Sequence, residues 1–304
     1  MNAPLRPDAA APVRWDLRCD LDPLPPEAAV AGDEELLDDV ARGPRLAMAR
    51  IWQSLPAIVV PAPVARRAEF AAAARQSADA GWPAVVRRSG GAPVPLAPGI
   101  VNLSLGYWQP AWRRPSIDDG FCSLAEILIA ALRPLGVETQ AGPVAGAFCA
   151  GRFDLGIGGR KIAGLAQRRR PACRAEGRGT AVLVHALLLA NPDLDRALAA
   201  LDGFERRCGI RGDWRADAVT SVDRALGAGR AAASASPTAV AARLRCSFAA
   251  PPVPLERRRA PMFAPPFGGA ELGPTSSCGP RQPPGGDVGA GRAESAAGWA
   301  TADG

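Results

Sequence analysis

Phe153-Asp154-Leu155-Gly156-Ile157 alternates apolar with small or polar side chains, Gly158-Gly159 follows, and a second strand-like run continues from Arg160 to Gln167. Strand-forming runs on either side of a double glycine commit the chain to an antiparallel hairpin. The hairpin lies inside AGAFCAGRFDLGIGGRKIAGLAQRRR, residues 145–170. Lys161 opens its second strand and is the only lysine in 304 residues; every other cationic side chain is arginine. A solvated positive charge can be exchanged between the two residue types. A compact amine that can lose its proton cannot be replaced by a guanidinium. A single lysine can also survive by chance, so its surroundings must decide. Gly164, three residues on, leaves no side chain between the strand and whatever lies on it.

The rest of the chain reads as an irregular mixture of strands and helices. Residues 1–30 are rich in Pro, Ala and Asp and read as a flexible arm. Asp33 to Arg42 forms an amphipathic helix with Leu36, Leu37 and Val40 on one face. Strands are predicted at Arg50–Gln53, Ala57–Val60, Pro83–Arg88 and Ile100–Gly106, with an alanine-rich helix over Ala65–Ala80. Ser123-Leu124-Ala125-Glu126 reads as a capping box, followed by a helix that stops at Pro134. Thr180–Ala190 is a buried strand by its apolar density; Asp193–Arg207, Ala218–Leu226 and Thr238–Phe248 read as helices. The pattern is not a strict βαβ alternation. It predicts an α/β (α+β) fold with a mixed, largely antiparallel sheet and flanking helices over residues 31–248. Residues 249–304 are Pro, Gly and Ala-rich and are expected to be disordered.

Several residues can carry chemistry. Arg88-Ser89-Gly90-Gly91 is a glycine loop between strands, whose N–H groups can cradle a carboxylate, phosphate or thioester oxygen, or which is a plain turn. It lacks the spacing of a P-loop. Cys149 sits among small residues across the hairpin from Lys161, and a nearby ammonium stabilises a thiolate. Alone, a cysteine is as well explained as a small buried hydrophobe. Cys122, Cys173, Cys208 and Cys246 are assigned that role, and Cys19 and Cys278 read as exposed or disordered thiols. His185, the sole histidine, lies in an apolar strand and reads as a core residue. Asp154 either orients Lys161 or ends a strand.

Composition narrows the function. A net charge of +6 carried by arginine suits an acidic partner, but no basic run is interleaved with aromatics, which argues against nucleic acid. Seven scattered cysteines without a CxxC pair support neither a metal site nor a disulfide framework. The N-terminal stretch has no apolar signal core and no run is long enough to span a bilayer, so no membrane is expected and a cytoplasmic setting is.

These pieces together resemble one family. RRSGGAPVPLAPGIVNLSL (87–105), FDLGIGGRKIAGLAQRRR (153–170) and LVHALLLA (183–190) are similar to motifs of the biotin/lipoate protein ligase and octanoyltransferase superfamily. The central stretch is closest to transferases that move octanoyl from the glycine cleavage H protein to other lipoyl domains. The resemblance implies that Cys149 forms an acyl thioester while Lys161 stabilises the thiolate and holds the acyl carbonyl. It also implies that Arg88, Ser89, Gly90, Gly91 and Asn102 bind substrate, that Asp154 belongs to the same motif, and that Gly164 floors the acyl tunnel. The partners implied are lipoyl domains and the H protein, with no cofactor. Ala92-Pro93 follows the glycine pair, and Pro95 to Gly99 replaces the histidine-containing segment of the ligases. Two other readings stay open: an ATP-dependent lipoate-protein ligase using Lys161 without a covalent cysteine, and a non-catalytic paralogue that binds lipoyl domains.

Overall fold

A computed structural model describes residues 15–112, 116–210, 212–227 and 234–249. Its centre is two long neighbouring strands, β6 (Ile100–Pro110) and β10 (Gly177–Leu189), paired antiparallel over eleven residues. β2 (Ala47–Ser54) joins β6 on one side and β9 (Arg160–Arg174) joins β10 on the other, both antiparallel. β8 (Leu155–Ile157) and β7 (Gln140–Ala141) extend that side, and β1 (Asp16–Leu24) closes the other edge, parallel to β2. The seven-stranded sheet runs β1-β2-β6-β10-β9-β8-β7. β3 (Ala57–Pro61), β4 (Ala84–Arg87) and β5 (Val94–Leu96) form a second sheet in the order β4-β3-β5. The expected mixed, largely antiparallel architecture with flanking helices is the one observed.

Register decides which side chains share a face. Because alternate residues point to one side, Arg50, Ser104, His185 and Ala166 form one row across β2, β6, β10 and β9. Trp52, Asn102, Leu187 and Gly164 form the next row on the same side. Trp52 Nε1 donates to Ser104 Oγ at 3.0 Å and ties the rows together. Helix α1 (Pro26–Arg42) lies over this face and packs Leu36, Leu37 and Val40 against Met48, Ala181 and Leu183. Its proline near the N-terminus, Glu27 in the first turn and Arg42 in the last suit the helix dipole. The opposite face packs against α4 (Ile117–Leu132) and α7 (Pro237–Ala249) through Leu124, Ile127, Leu128, Val240 and Leu244. The second sheet, with α2 (Ala62–Ala65), α3 (Phe70–Asp79) and α5 (Leu194–Arg207), builds a separate core around Ile58, Val60, Leu198 and Phe204.

Helix α1 approaches the sheet closely because β6 presents Gly106 beneath it; a Cβ there would overlap Leu36 Cδ2. Gly106→Ala should therefore cost about 1–3 kcal/mol, as overpacking does. Leu36→Ala in the same chain should return part of that loss, measured as non-additive shifts of the urea midpoint.

Several local expectations need correction. Residues Asp16–Leu24 of the expected arm are a strand and α1 begins at Pro26, while residues 1–14 lie outside those described. β1 has no fully buried residue, but Leu17, Cys19 and Leu21 alternate with Arg18 and Asp20 and pack half-buried against the core, and it pairs with β2. The helix expected over 65–80 begins only at Phe70, as α3; the short α2 ends at Ala65 and residues 66–69 are a turn between them. Ser123 is inside α4; the N-cap is Ser116, whose hydroxyl accepts from Asp118 N at 3.2 Å. Only Val222–Leu226 of the 218–226 segment is α-helical; it forms α6. Cys173 and Cys246 are exposed, and Cys19 is half-buried in β1. Cys278 and the tail from 250 lie outside the described residues.

Candidate active site

A pocket opens where the second sheet meets the face of the large one, with about 760 Å³ of unfilled space including its mouth. Its wall is mainly apolar, with Trp52, Val59, Leu96, Phe148 and Leu187 among the lining residues. Polar groups join it from separate segments: Asp33 of α1, Arg87 at the end of β4 with Arg88 and Ser89 after it, Cys149, Lys161 and His185.

The segment that carries Cys149 is anchored before the hairpin. Phe148 is 1% exposed and meets Trp214 edge-on at 6.2 Å, and Trp214 Nε1 donates to Glu205 of α5 at 2.6 Å. Cys149 itself has φ +44°, the one positive value at a non-glycine among the described residues. Such a conformation costs about 1–3 kcal/mol and persists only where its surroundings impose it. Lys161 imposes it from one side. Its Nζ donates to Phe148 O at 3.0 Å and Cys149 O at 2.8 Å, and pairs with Asp154 Oδ2 at 2.9 Å. All three ammonium protons thus have acceptors, and the Lys161 and Asp154 side chains are each 1% exposed. Burial pushes the Asp154 carboxyl up, opposed by the Lys161 charge and by the Gly151 N–H, which donates to it at 2.9 Å.

The glycine loop imposes it from the other side. Ala92 N donates to Cys149 Sγ at 3.2 Å. Gly91 has φ +101°, and a Cβ there would stand 3.0 Å from both Cys149 Sγ and Arg87 Nη2, so glycine is required on two grounds. Arg87 is buried and donates to Val59 O, Gly90 O and Ala92 O, the last at 2.7 Å. Among the described residues no carboxylate pairs with it. Burial pulls its guanidinium below the usual value, and the charge of and hydrogen bond with Cys149 oppose that shift. The expected neighbours, Cys149 and Lys161, do meet. The ammonium holds the cysteine's main chain, however; the hydrogen bond to its sulfur comes from Ala92 N, with the Arg87 guanidinium beside it.

The remaining expected residues divide. Ser89 and Asn102 are buried in the pocket wall, with Asn102 Nδ2 donating to Trp52 O at 3.5 Å. Arg88 is exposed at the rim, and a Cβ on Gly90 would meet nothing within 4 Å. Gly164 lines the pocket, but a Cβ there would lie 3.0 Å from Lys161 Cε and Nζ, so it also makes room for the lysine. Arg87 and Asp33 were not singled out from the sequence, and His185, expected as a core residue, instead lines the pocket. Asp33 had a visible signal, since with Leu36, Leu37 and Val40 it completes the i, i+3, i+4, i+7 stripe of α1. An acid on an apolar stripe needs a buried partner. Among the described residues no cluster of three ligating side chains can hold a metal ion, and no helix is long and apolar enough to cross a membrane.

A mixed sheet carrying a buried Lys–Asp pair and a glycine loop around an apolar pocket makes an α/β domain with a built ligand site. Residues 25–249 match the lipoyl protein ligase A/B catalytic domain, and the chain belongs to that family. It is 39% identical over 215 residues to an uncharacterized protein of Cupriavidus necator, covering 67% of this chain and 81% of that one. It is 32% identical over 242 residues to the octanoyl-GcvH:protein N-octanoyltransferase of Kyrpidia tusciae, covering 75% and 81% respectively. The enzyme of the same name from Bacillus velezensis is 35% identical over 139 residues, which is 46% of this chain and about half (48%) of that protein. In structure, a candidate lipoate protein ligase of T. acidophilum superposes with a TM-score of 0.57 at 20% identity, over 79% of this chain and 85% of the other. That likeness concerns the fold.

Proposed function

We propose that the chain transfers an octanoyl group to the lysine of a lipoyl domain through a thioester on Cys149, with octanoylated H protein as donor. The observation that carries this is Cys149 itself. It is held at φ +44° with its sulfur accepting the Ala92 N–H at the polar end of an apolar pocket. The named relatives support the choice of group, donor and acceptor class. The sulfur attacks the donor's acyl carbonyl, the donor leaves, and the acyl chain stays in the apolar pocket at about 0.8 kcal/mol per buried CH₂. The acceptor lysine then attacks the thioester, so one hard displacement becomes two easier ones. Ala92 N–H and the Arg87 guanidinium are the groups beside the sulfur that can stabilise the developing oxyanion. Lys161 acts by fixing the main chain of Phe148 and Cys149. A net charge of +6 favours encounter with an acidic partner.

The test is incubation with octanoylated H protein in the absence of ATP, followed by intact mass and peptide mapping. An octanoyl increment on Cys149 is expected. Loading that requires ATP and survives Cys149→Ala would make the chain a ligase. Binding of a lipoyl domain without any loading or turnover would make it a non-catalytic paralogue.

A further inference from the structure

Residues 212–220 run past both halves of the site. Arg215 N donates to Gly146 O at 2.7 Å, three residues ahead of Cys149. Val219 bridges Lys161 in parallel, and Thr220 N donates to Lys161 O at 2.9 Å. The cysteine loop and the lysine strand are therefore tied to one segment. Trp214 stands at its loop end. The indole meets Phe148 edge-on at 6.2 Å, and its N–H donates to Glu205 Oε2 at 2.6 Å. These contacts are tight on both sides. A Cβ on Gly212 would stand 2.7 Å from Trp214 Cδ1 and 2.9 Å from Glu205 Oε2. Gly146 has φ +73°, and a Cβ there would lie 2.5 Å from Arg215 Nη1.

Glu205 is the residue that needs a reason. It is 4% exposed, and α5 buries it beside Leu201 and Phe204. Burial pushes its carboxyl up, and the indole hydrogen bond opposes that shift. An apolar side chain would fill such a place at less cost, because burying a polar group is repaid only through its hydrogen bonds. What the carboxyl adds is direction. An indole has a single N–H donor, so a fixed acceptor fixes the ring. The ring edge bears on Phe148, whose own ring also lies 5.1 Å from Lys161 Nζ. Phe148 immediately precedes Cys149, where φ is +44° and must be imposed from outside. A turn of Phe148 would swing the sulfur away from the Ala92 N–H that it meets.

We propose that Glu205 and Trp214 are a positioning pair for Cys149: the α5 carboxyl fixes the indole, the indole edge fixes Phe148, and Phe148 sets the direction of the sulfur. The reaction that this serves rests on the thioester reading above; the geometry does not. Neither residue is among those lining the pocket, so the acyl wall stays in place without them. The pair therefore acts on the rate of attack and not on donor affinity. Its loss lowers the maximal rate and leaves half-saturation by the donor unchanged, the mark of an interaction that matters only as the transition state is reached.

The experiment measures two rates at Cys149 on the full chain at neutral pH, by intact mass and peptide mapping. One is single-turnover loading over a range of octanoylated H protein; the other is alkylation by iodoacetamide. Glu205→Leu removes the acceptor, and Trp214→Phe removes the N–H while keeping an aromatic edge. Each should lower the maximal loading rate by about 10–10²-fold, the cost of misplacing a reacting group by about 1 Å, with half-saturation as in the parent. The double variant should be no slower than the slower single one. Glu205→Gln keeps an oxygen for the indole and should load as the parent does. Alkylation should move the other way, faster in Glu205→Leu and Trp214→Phe, because a released loop exposes a half-buried sulfur. Leu198→Ala takes core volume from the same helix, leaves carboxyl and indole in place, and should keep the parent's rate per folded molecule. Parent-like loading by Glu205→Leu would overturn the inference. So would a Glu205→Gln as slow as Glu205→Leu, or an equal loss in Leu198→Ala, since the pair would then be ordinary packing. Should the unaltered chain take up no octanoyl, the thioester reading falls. The alkylation series then decides the positioning alone, and parent-like rates in Glu205→Leu and Trp214→Phe would overturn it.

Discussion

Cys149→Gly should abolish octanoyl transfer and at the same time make the protein more stable. The sulfur is the proposed nucleophile, and removal of a nucleophile that acts in concert with its neighbours costs on the order of 10⁶ in turnover. The stability change has the opposite sign because of the backbone. Cys149 holds φ +44°, where an L-residue pays about 1–2 kcal/mol and glycine pays nothing for its missing Cβ. Against this stand the extra chain entropy of glycine and the loss of a half-buried side chain. A small net gain, below about 1 kcal/mol, is expected, read as a slightly higher urea midpoint at unchanged slope. Cys149→Ala separates the two effects: it removes the sulfur, keeps the strained φ, and should show no gain. If glycine and alanine destabilise equally, the position is not strained, and the hydrogen bonds of Lys161 serve some other end.

Lys161→Met should be the most destabilising single change in the site. It leaves Asp154, 1% exposed, with a charge and no counter-charge, and it strips the donor from Phe148 O and Cys149 O. Breaking a buried pair by removing one partner costs about 3–5 kcal/mol. That is a large part of the total stability of an ordinary domain, about 5–15 kcal/mol. The loss should depend on pH in a defined direction. Burial already pushes the Asp154 carboxyl up, and removing the ammonium that opposes this pushes it further. A carboxyl raised above its unfolded value binds its proton more tightly in the native state. Stability is then greatest below the unfolded pKa and falls as pH rises toward the folded one. Lys161→Met should therefore be less impaired at acidic pH than at neutral pH in chemical denaturation. Lys161→Met with Asp154→Asn should recover most of the loss and abolish the pH dependence. A single variant as stable as the parent would mean that Asp154 is not buried as described. Lys161→Arg should not substitute, because a planar fork cannot occupy the place of a compact ammonium packed against Gly164.

What could be read from the sequence alone was whatever a short stretch decides for itself. The hairpin at Gly158-Gly159, the apolar face of α1, the buried strand β10 and the helix opening at Asp193 follow from periodicity, turn chemistry and capping within a few residues. The Cys149–Lys161 segment and the glycine loop were visible for the same reason, since each is one continuous motif. β1 was missed although Leu17, Cys19 and Leu21 alternate, because the signal is short and lies in a Pro- and Asp-rich stretch, and its place depends on its neighbour β2. The tertiary structure alone decided what each reactive group touches. The loop after β4, rather than Lys161, meets the sulfur through Ala92 N, because the second sheet carries that loop and Arg87 up to Cys149. Asp33, Ser89 and His185 are far apart in the chain and come together through the register of β2, β6 and β10 and the descent of α1 onto Gly106. A one-residue slip in that register would turn His185 to the other face. Such long-range placement is set by packing summed over the whole core, and no local pattern records it.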